Sequence, residues 1–376
     1  MFGKRITLFR LLGFEVRIDV SWLIIAFLIT WSLAKGFFPG QYEGLPELTY
    51  WWMGVAGALG LFLSIIFHEL SHSLVARRFG IHMKGITLFV FGGVAEMDEE
   101  PPSAKAEFFM AIAGPAASIL IAGFFFLLVV LTYGYSVVLT GVIWYLAVIN
   151  LVLAGFNLLP AYPLDGGRVL RSILWQWKGN LRWSTRIASQ MGSLFGLFMI
   201  FFGILNVLTG AVIGGVWWFI IGLFLRNASQ MSYQQVVMRK ALEGEKVRRF
   251  MKKDPVTIPS SITIRELVED YIYKYHFKMF PVVDNGNLVG CITTKQIKEV
   301  PAEQWATRRV GELLSGCSRI NTISPDIDAV RALSSMSQSG NSRLMVVEGD
   351  KLVGIITLKD IMGFLSVKLD LGEKEA

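Results

Sequence analysis

Long apolar runs constrain this chain more than any other feature of its 376 residues. A helix needs about 20 apolar residues to cross the hydrocarbon layer of a bilayer. Six runs approach or exceed that length: 18–36, 50–78, 106–132, 136–158, 185–208 and 211–226. Hydrophobic residues make up 53% of the chain and charged residues only 17%, which is too apolar for a soluble protein of this size. We therefore predict a polytopic α-helical membrane protein with about six transmembrane helices.

The basic residues predict how these helices are oriented. Lys and Arg cluster before the first run and after the second and fourth, whereas the opposite loops contain little more than Lys35. By the positive-inside rule, the basic connections face the cytoplasm. We therefore predict a multi-pass protein of the plasma membrane with both termini in the cytoplasm. The net charge of +7 is explained by this orientation and does not indicate nucleic-acid binding.

The segment IIFHELSHSLVARRFG, 65–80, places polar residues at the end of the second apolar run. His68 and His72 are four residues apart, so they share one helix face and can bind one metal ion, while Glu69 points toward a water at that metal. Zinc suits two neutral imidazoles with an oxygen ligand, and it activates water at neutral pH. Polar side chains are costly in lipid, so the alternative is that both histidines hydrogen-bond to neighbouring helices.

A third ligand is expected from FNLLPAYPLDGGRVLR, 156–171, at the end of the fourth run. Pro160 and Pro163 break the helix, and Asp165 follows in a Gly-rich turn from which its carboxylate can project. The predicted topology puts this turn on the same side of the membrane as His68. Asp165 can therefore complete a His, His, Asp site. Alternatively, it caps the helix that follows.

Two neighbouring features of the same segment carry further predictions. Asn157, two turns before Asp165, could donate a hydrogen bond to a substrate carbonyl oxygen as charge develops on it. The stretch 166–177 contains Arg168 and Arg171 and is too short to span a bilayer. We interpret it as an interfacial or partly embedded helix.

The segment GITLFVFGGVAEM, 85–97, has the pattern of a β-hairpin directly after the histidine helix. Two β-rich runs flank Gly92 and Gly93. An edge strand at this position could accept an unwound substrate by strand addition and hold its backbone across the metal. The alternative is a simple cytoplasmic loop.

The combination of HELSH with NLLPAYPLDGG, 157–167, resembles the site-2 protease family of intramembrane zinc metalloproteases. The resemblance covers about residues 1–226. It implies one Zn²⁺ per chain with three protein ligands: His68, His72 and Asp165. It also implies that Glu69 is the general base and that Asn157 engages the substrate near the metal.

The same resemblance implies more about substrate and architecture. The family cleaves membrane-spanning segments or their flanks, and a re-entrant membrane hairpin occupies the place of 85–97. No PDZ-like insert separates the core runs of this chain. It is therefore most similar to the compact branch that carries C-terminal CBS repeats, which includes the sporulation protease of endospore formers.

The C-terminal part of the chain has a different composition. From about Glu243 onward, charge rises and short β-rich runs alternate with amphipathic helical stretches, which predicts a soluble α/β domain. FPVVDNGNLVGCITTKQI and LMVVEGDKLVGIITLKDI align without a gap as an internal repeat. We divide the chain into four segments: a transmembrane domain at 1–226, a linker at 227–245, and repeats at 246–305 and 306–368.

Each repeat resembles a CBS module, and CBS modules pack in pairs and often bind adenosine nucleotides. In that family, a Thr and an Asp after the last strand hold the ribose. The second repeat supplies Thr357 and Asp360, whereas the first supplies Thr293 but Gln296 in place of the Asp. The resemblance implies ATP or AMP as a regulatory ligand and homo-oligomers formed through the CBS pair. The alternative is a dimerising or docking module without a ligand.

A transporter or channel gated by the CBS pair is the main alternative function, since a metal site between spans could be a transport site. Glu69 favours a protease, because a transport site of two histidines and an aspartate would not need it. The six predicted spans also lack visible inverted repeats. We therefore predict a zinc metalloendopeptidase that cleaves membrane-protein substrates.

Overall fold

The computed structural model describes residues 5–81, 83–89, 92–97, 100–316 and 321–370. The chain divides into two compact units, Met1–Val236 and Val237–Ala376. The first unit contains the apolar helices and the second contains the internal repeat. Each unit is described by itself below.

Long helices dominate the first unit. In chain order they are α1 (Ser21–Gln41), α2 (Glu47–Arg78), α3 (Ala104–Thr132), α4 (Val137–Asn157), α5 (Asp165–Lys178), α6 (Leu181–Leu208) and α7 (Val212–Leu242). Five of them, α1, α2, α3, α4 and α6, are long and apolar enough to cross a bilayer. Outward side chains such as Leu120 and Val130 are 74% and 73% exposed, which suits lipid and not water. The first unit is therefore that of a membrane protein.

Two details of the helices differ from the sequence analysis. The sixth predicted span, 211–226, forms the first half of α7, and this helix is not among the five candidates found in the described residues. The predicted count of six and the orientation that follows from it stay predictions. Most of the predicted linker, 227–245, is helical, because α7 continues to Leu242.

The amphipathic helix α5 has 14 residues, which is too short to span the hydrocarbon layer. It ends at Lys178, and the next residue, Gly179, has a φ of 67°, which lies in the left-handed region that glycine adopts without strain. The short helix predicted at 166–177 is therefore confirmed as a helix that does not span. Its position at the membrane interface stays a prediction.

A four-stranded sheet packs against the histidine helix. Its strands are β1 (Arg5–Leu11), β2 (Phe14–Asp19), β3 (Met83–Phe89) and β4 (Gly92–Met97), in the order β1-β2-β3-β4. The β2–β3 pair is parallel and the two outer pairs are antiparallel. Val16 and Ile86 on the sheet share a core with Ile66 and Leu70 of α2. This packing places β4, an edge strand of the sheet, beside the helix that carries the histidines.

The sheet contains one hairpin that the sequence analysis predicted and one that it missed. The hairpin predicted at 85–97 is present as β3 and β4, although residues 90–91 between them lie outside the described residues. Its re-entrant position in the membrane stays a prediction. The sequence analysis missed β1 and β2, whose hairpin turn contains Gly13 with a φ of 89°.

Helices α6 and α7 approach so closely that their backbones touch. A Cβ at Gly203 would lie 2.6 Å from the Phe219 nitrogen, and a Cβ at Gly222 would lie 2.6 Å from the Gly196 carbonyl oxygen. Small residues at such contacts allow van der Waals packing, which holds helices together in lipid. This glycine contact fixes α7 against the rest of the first unit.

The second unit consists of two similar halves. The strands β5 (Met279–Asp284), β6 (Asn287–Thr293) and β7 (Ser315–Gly316) form one sheet in the order β5-β6-β7. The strands β8 (Thr322–Ile323), β9 (Arg343–Glu348) and β10 (Lys351–Thr357) form the other in the order β10-β9-β8. The helices are α8 (264–275), α9 (Thr294–Lys298), α10 (Ala329–Ser339) and α11 (Leu358–Asp370).

The cores of the two halves do not follow the predicted repeat boundaries strictly. Ile258, Leu267 and Phe280 belong to the first core. Leu242 in the predicted linker and Val247 at the predicted start of the first repeat instead pack in the second core, with Leu344, Val346 and Ile356. The segment at the predicted start of the first repeat therefore stabilises the second half. The boundaries themselves stay a prediction.

We expect Gly203→Leu to lower the free energy of unfolding of the first unit by about 1–3 kcal/mol, as overpacking does in well-packed interiors. The larger side chain would separate α6 from α7 at a contact where no space is left. Thermal unfolding in detergent measures the effect. Gly123→Leu is the matched control, since no atom lies within 4 Å of a Cβ there. Equal stability of the two variants would contradict the close packing.

Candidate metal centre

Two histidines on α2 face the interior of the membrane unit. His68 and His72 are 3% and 4% exposed, and their ring centroids lie 4.8 Å apart. They are about one turn apart, so both imidazoles project from one helix face. A buried imidazole pair needs partners for four ring nitrogens. The structure supplies them from α3 and α5.

Asp165 lies between the two inner ring nitrogens. Its Oδ2 is 3.0 Å from His68 Nε2 and 3.1 Å from His72 Nε2. One donor atom from each of the three residues lies within 4.8 Å of the others. The structure therefore brings together three side chains that the sequence analysis selected from segments more than 90 positions apart.

The local structure around Asp165 differs from the expected Gly-rich turn. Asp165 is the first residue of α5, and the N-cap is Leu164. Gly166 and Gly167 leave no room for side chains, because a Cβ on either would overlap the backbone of the preceding turn, 158–162. The turn and the helix thus pack on each other, and the carboxylate points to the histidines.

The outer ring nitrogens contact α3. His72 Nδ1 donates to the Met110 carbonyl oxygen at 2.6 Å, and His68 Nδ1 lies 2.9 Å from Ser118 Oγ. A carbonyl oxygen can only accept, so Nδ1 of His72 carries a proton. In the neutral ring, Nε2 is then the nitrogen with a lone pair for a metal ion. The sequence analysis did not identify Met110 or Ser118 as partners. The signal that could have identified them in the sequence is their spacing of eight residues, which places both on one face of a helix.

The donor set fits a zinc ion. Two imidazole Nε2 atoms and a carboxylate oxygen converge within 4.8 Å of one another. In the neutral form of His72, Nε2 and the carboxylate oxygen are both acceptors, and a cation between them would satisfy both. Zinc accepts electron pairs from two imidazoles and a carboxylate in catalytic sites. Outward Nδ1 contacts such as the one to Met110 orient histidine ligands in these sites.

A glycine on α3 makes room for the histidines. A Cβ at Gly114 would overlap Nε2 of His72 and would lie 2.6 Å from Nε2 of His68. Gly114 lies between Met110 and Ser118 on the same face of α3. The backbone of α3 therefore forms one wall of the candidate metal centre.

Glu69 lies beside the histidines and next to the sheet. It is half-buried on α2. A Cβ at Gly93 of β4 would be 2.7 Å from Glu69 Cγ and 3.2 Å from Glu69 Oε1. The backbone of the edge strand therefore contacts the side chain of the predicted general base, and glycine at position 93 permits this approach.

Asn157 is not brought into the cluster by any hydrogen bond among the described residues. It is the last residue of α4, and its Nδ2 donates to the Leu153 carbonyl oxygen of the same helix at 3.0 Å. The substrate contact proposed for this side chain stays a prediction.

The predicted nucleotide residues lie at equivalent places in the two halves of the second unit. Thr357 Oγ1 donates to Asp360 Oδ2 at 2.5 Å, and Lys252 Nζ lies 3.6 Å from Asp360 Oδ1. Thr293 Oγ1 donates to Gln296 Oε1 at 2.7 Å, and Gln296 Nε2 donates to the Leu313 carbonyl oxygen. Both pairs begin a helix. The second half presents a carboxylate where the first presents an amide tied to the backbone.

Two protein-family patterns match the chain, one in each of its two units. The pattern of peptidase family M50 matches residues 56–141 and 135–203, and the CBS domain pattern matches residues 247–303 and 310–367. Rip3 of Mycobacterium tuberculosis is 34% identical over 366 residues, which cover 96% of this chain and 93% of Rip3. Zinc metalloprotease MJ0392 of Methanocaldococcus jannaschii is 33% identical over 316 residues, covering 84% of this chain and 86% of that protein.

A solved structure is also similar. The site-2 protease from Methanocaldococcus jannaschii has a TM-score of 0.44 and 28% sequence identity, covering 61% of this chain and 94% of that one. The chain belongs to peptidase family M50, the site-2 protease family of zinc metalloproteases, and carries two C-terminal CBS domains.

We expect Gly114→Ala to reduce bound zinc from near one ion per chain to well below one. The added methyl group would occupy the space of the two Nε2 atoms. Elemental analysis of detergent-purified protein measures the zinc content. Gly123→Ala, on the same helix but with nothing within 4 Å of its Cβ, should keep the wild-type content. Full zinc occupancy in both variants would show that the metal lies elsewhere.

Proposed function

We propose that the protein is an intramembrane zinc metalloendopeptidase that hydrolyses peptide bonds in or near transmembrane segments of other membrane proteins. One observation carries the proposal: His68 and His72 of the apolar helix α2 converge, buried, with Asp165 at the first residue of α5. Charged and polar groups in a membrane segment are costly, so such a cluster indicates a functional site. Membership of a metalloprotease family supports the same chemistry.

In this proposal, His68, His72 and Asp165 hold one zinc ion per chain. The chemistry that zinc supplies in such a site is Lewis acidity, which activates water at neutral pH and polarises a carbonyl group. Glu69 accepts the proton of the attacking water and delivers it to the leaving amine. Asn157 donates a hydrogen bond to the substrate carbonyl oxygen as negative charge develops there.

The edge strand β4 offers a way to present the substrate. A transmembrane helix hides its peptide bonds, so it must unwind before it can be cleaved. An extended segment could pair with the outer edge of β4, and main-chain hydrogen bonds would then hold it. The contact between Gly93 and Glu69 would bring the bound backbone close to the general base.

The cellular setting belongs to the same proposal. Both termini lie in the cytoplasm, the protein crosses the plasma membrane several times, and the lipid bilayer surrounds the first unit. Water reaches the metal from the cytoplasmic side. The distribution of basic residues supports this orientation.

We expect Glu69→Gln to slow cleavage of a tagged single-span membrane substrate by roughly 10²–10⁴-fold, because the general base is lost. Zinc content should stay at the wild-type level, since no ligand changes. Co-expression followed by immunoblotting measures cleavage. Glu47→Gln is the control, because Glu47 lies on the same helix in an exposed ion pair with Lys35. Unchanged cleavage in Glu69→Gln would rule out the protease mechanism, and zinc uptake into vesicles would then favour a transporter.

The second part of the proposal concerns regulation. ATP or AMP binds the CBS pair at the second repeat and modulates proteolysis, and the CBS pair also joins chains into homo-oligomers. Thr357 and Asp360 provide a hydroxyl and a carboxylate suited to a ribose, and Lys252 provides a nearby positive charge. In the first repeat, Gln296 is held by Leu313, which makes Thr293 the weaker site.

We expect Asp360→Ala to weaken binding of ATP or AMP by about 10–100-fold, as loss of a charged hydrogen bond does. Isothermal titration calorimetry of the detergent-purified protein, with both units present, measures this affinity. Nucleotide-dependent changes in cleavage should be lost in the same variant. Gln296→Ala, at the equivalent position of the first repeat, should change the affinity little. Equal nucleotide affinity in wild type and Asp360→Ala would remove this site from the proposal.

A further inference from the structure

A buried ion pair lies behind the carboxylate of the candidate metal centre. Arg171 of α5 is 1% exposed, and Glu107 in the first turn of α3 is fully buried. Arg171 Nε donates to Glu107 Oε1 at 2.6 Å, and Arg171 Nη2 contacts the same oxygen. The pair therefore ties α5 to the beginning of α3.

Both residues are close in the chain to groups that form the metal centre. Glu107 lies three residues before Met110, whose carbonyl oxygen accepts the hydrogen bond from His72. Arg171 lies six residues after Asp165, and its guanidinium carbon is 4.9 Å from the ring centroid of Tyr162 in the preceding turn. One ion pair thus connects the segment that orients a histidine with the segment that carries the aspartate.

Stability alone is a weak explanation for this pair. Removing two charges from water carries a large penalty, and an apolar pair of similar size often stabilises a protein as well or better. Within the part of the chain that the structure describes, Glu107 Oε2 and Arg171 Nη1 are buried without a hydrogen-bond partner. Unlike apolar packing, the ion pair constrains the relative orientation of the two side chains, because two donors of a rigid guanidinium converge on one oxygen.

We propose that Arg171 and Glu107 are positioning residues that set the place of Asp165 relative to His68 and His72. The inference rests on the proposed zinc site. The ion pair fixes the rotation and the axial position of α5 against α3, and the carboxylate at the first residue of α5 follows that position. Groups that hydrogen-bond directly to metal ligands typically change metal affinity by about 10–100-fold when they are altered, and we expect an effect of that size from this ion pair.

The test compares zinc affinity and ligand geometry in wild type and variants. Competition with a zinc chelator gives the affinity, and the visible absorption of the Co²⁺-substituted protein reports the coordination geometry. We expect Arg171→Met and Glu107→Gln to weaken zinc binding by about 10–100-fold and to alter the Co²⁺ spectrum. Arg171→Lys should recover part of the affinity. Arg186→Met, an exposed arginine on α6, is the control and should match wild type.

Two results would overturn the inference. The first is wild-type zinc affinity and Co²⁺ spectrum in folded Arg171→Met, even if its thermal stability falls. If Arg171→Met does not fold, Arg171→Lys and Glu107→Asp decide, because both keep the charges and change only the geometry. Wild-type affinity and spectrum in these two variants is the second overturning result.

A further variant separates this inference from the proposed function. Asp165→Ala removes a proposed ligand and should lose zinc. Retention of zinc in Asp165→Ala would remove the proposed site itself. Loss of zinc in Asp165→Ala, with unchanged binding in Arg171→Met, would leave the site in place and reject only the positioning role.

Discussion

A polar group in hydrocarbon must find its partners within the protein, and this constraint governs the membrane unit. Four ring nitrogens of two buried histidines are matched by a carbonyl, a hydroxyl and one carboxylate oxygen. These partners come from α3 and α5. The histidines on α2 are therefore paired only when α2, α3 and α5 pack together as they do here. Three elements that are apart in sequence are held together where the chemistry is proposed to occur.

The sheet adds a second constraint on the site. Its core with Ile66 and Leu70 fixes β4 against α2, and Gly93 then contacts Glu69. Glycine thus has two separate roles around the site. Gly114 lets a helix backbone approach the imidazoles, and Gly93 lets a strand backbone approach the glutamate. At both positions the close contact is made by main chain and not by a side chain.

Much of this centre follows from local sequence rules, because they depend on helical periodicity. A four-residue spacing places His68 and His72 on one face, and the apolar context makes an unpartnered position for them unfavourable. Met110, Ser118 and the Arg171–Glu107 pair were not predicted, since the register of α3 against α2 and α5 is a tertiary property.

The strands β1 and β2 were missed for a similar reason: β2 pairs in parallel with β3, and two helices separate them in the chain. The first core segment of the second unit, around Leu242, belongs to a half that begins far downstream.

The partner of His72 is a backbone carbonyl, whereas that of His68 is a serine hydroxyl, and this difference affects how each histidine responds to mutation. Any residue at position 110 supplies a carbonyl oxygen, so a single substitution there leaves the acceptor in place while α3 keeps its path. At position 118, most single substitutions remove the hydroxyl, for example Ser118→Ala. The two imidazoles therefore differ in how well they tolerate mutation of their partners. The main chain orients His72, whereas one replaceable side chain orients His68.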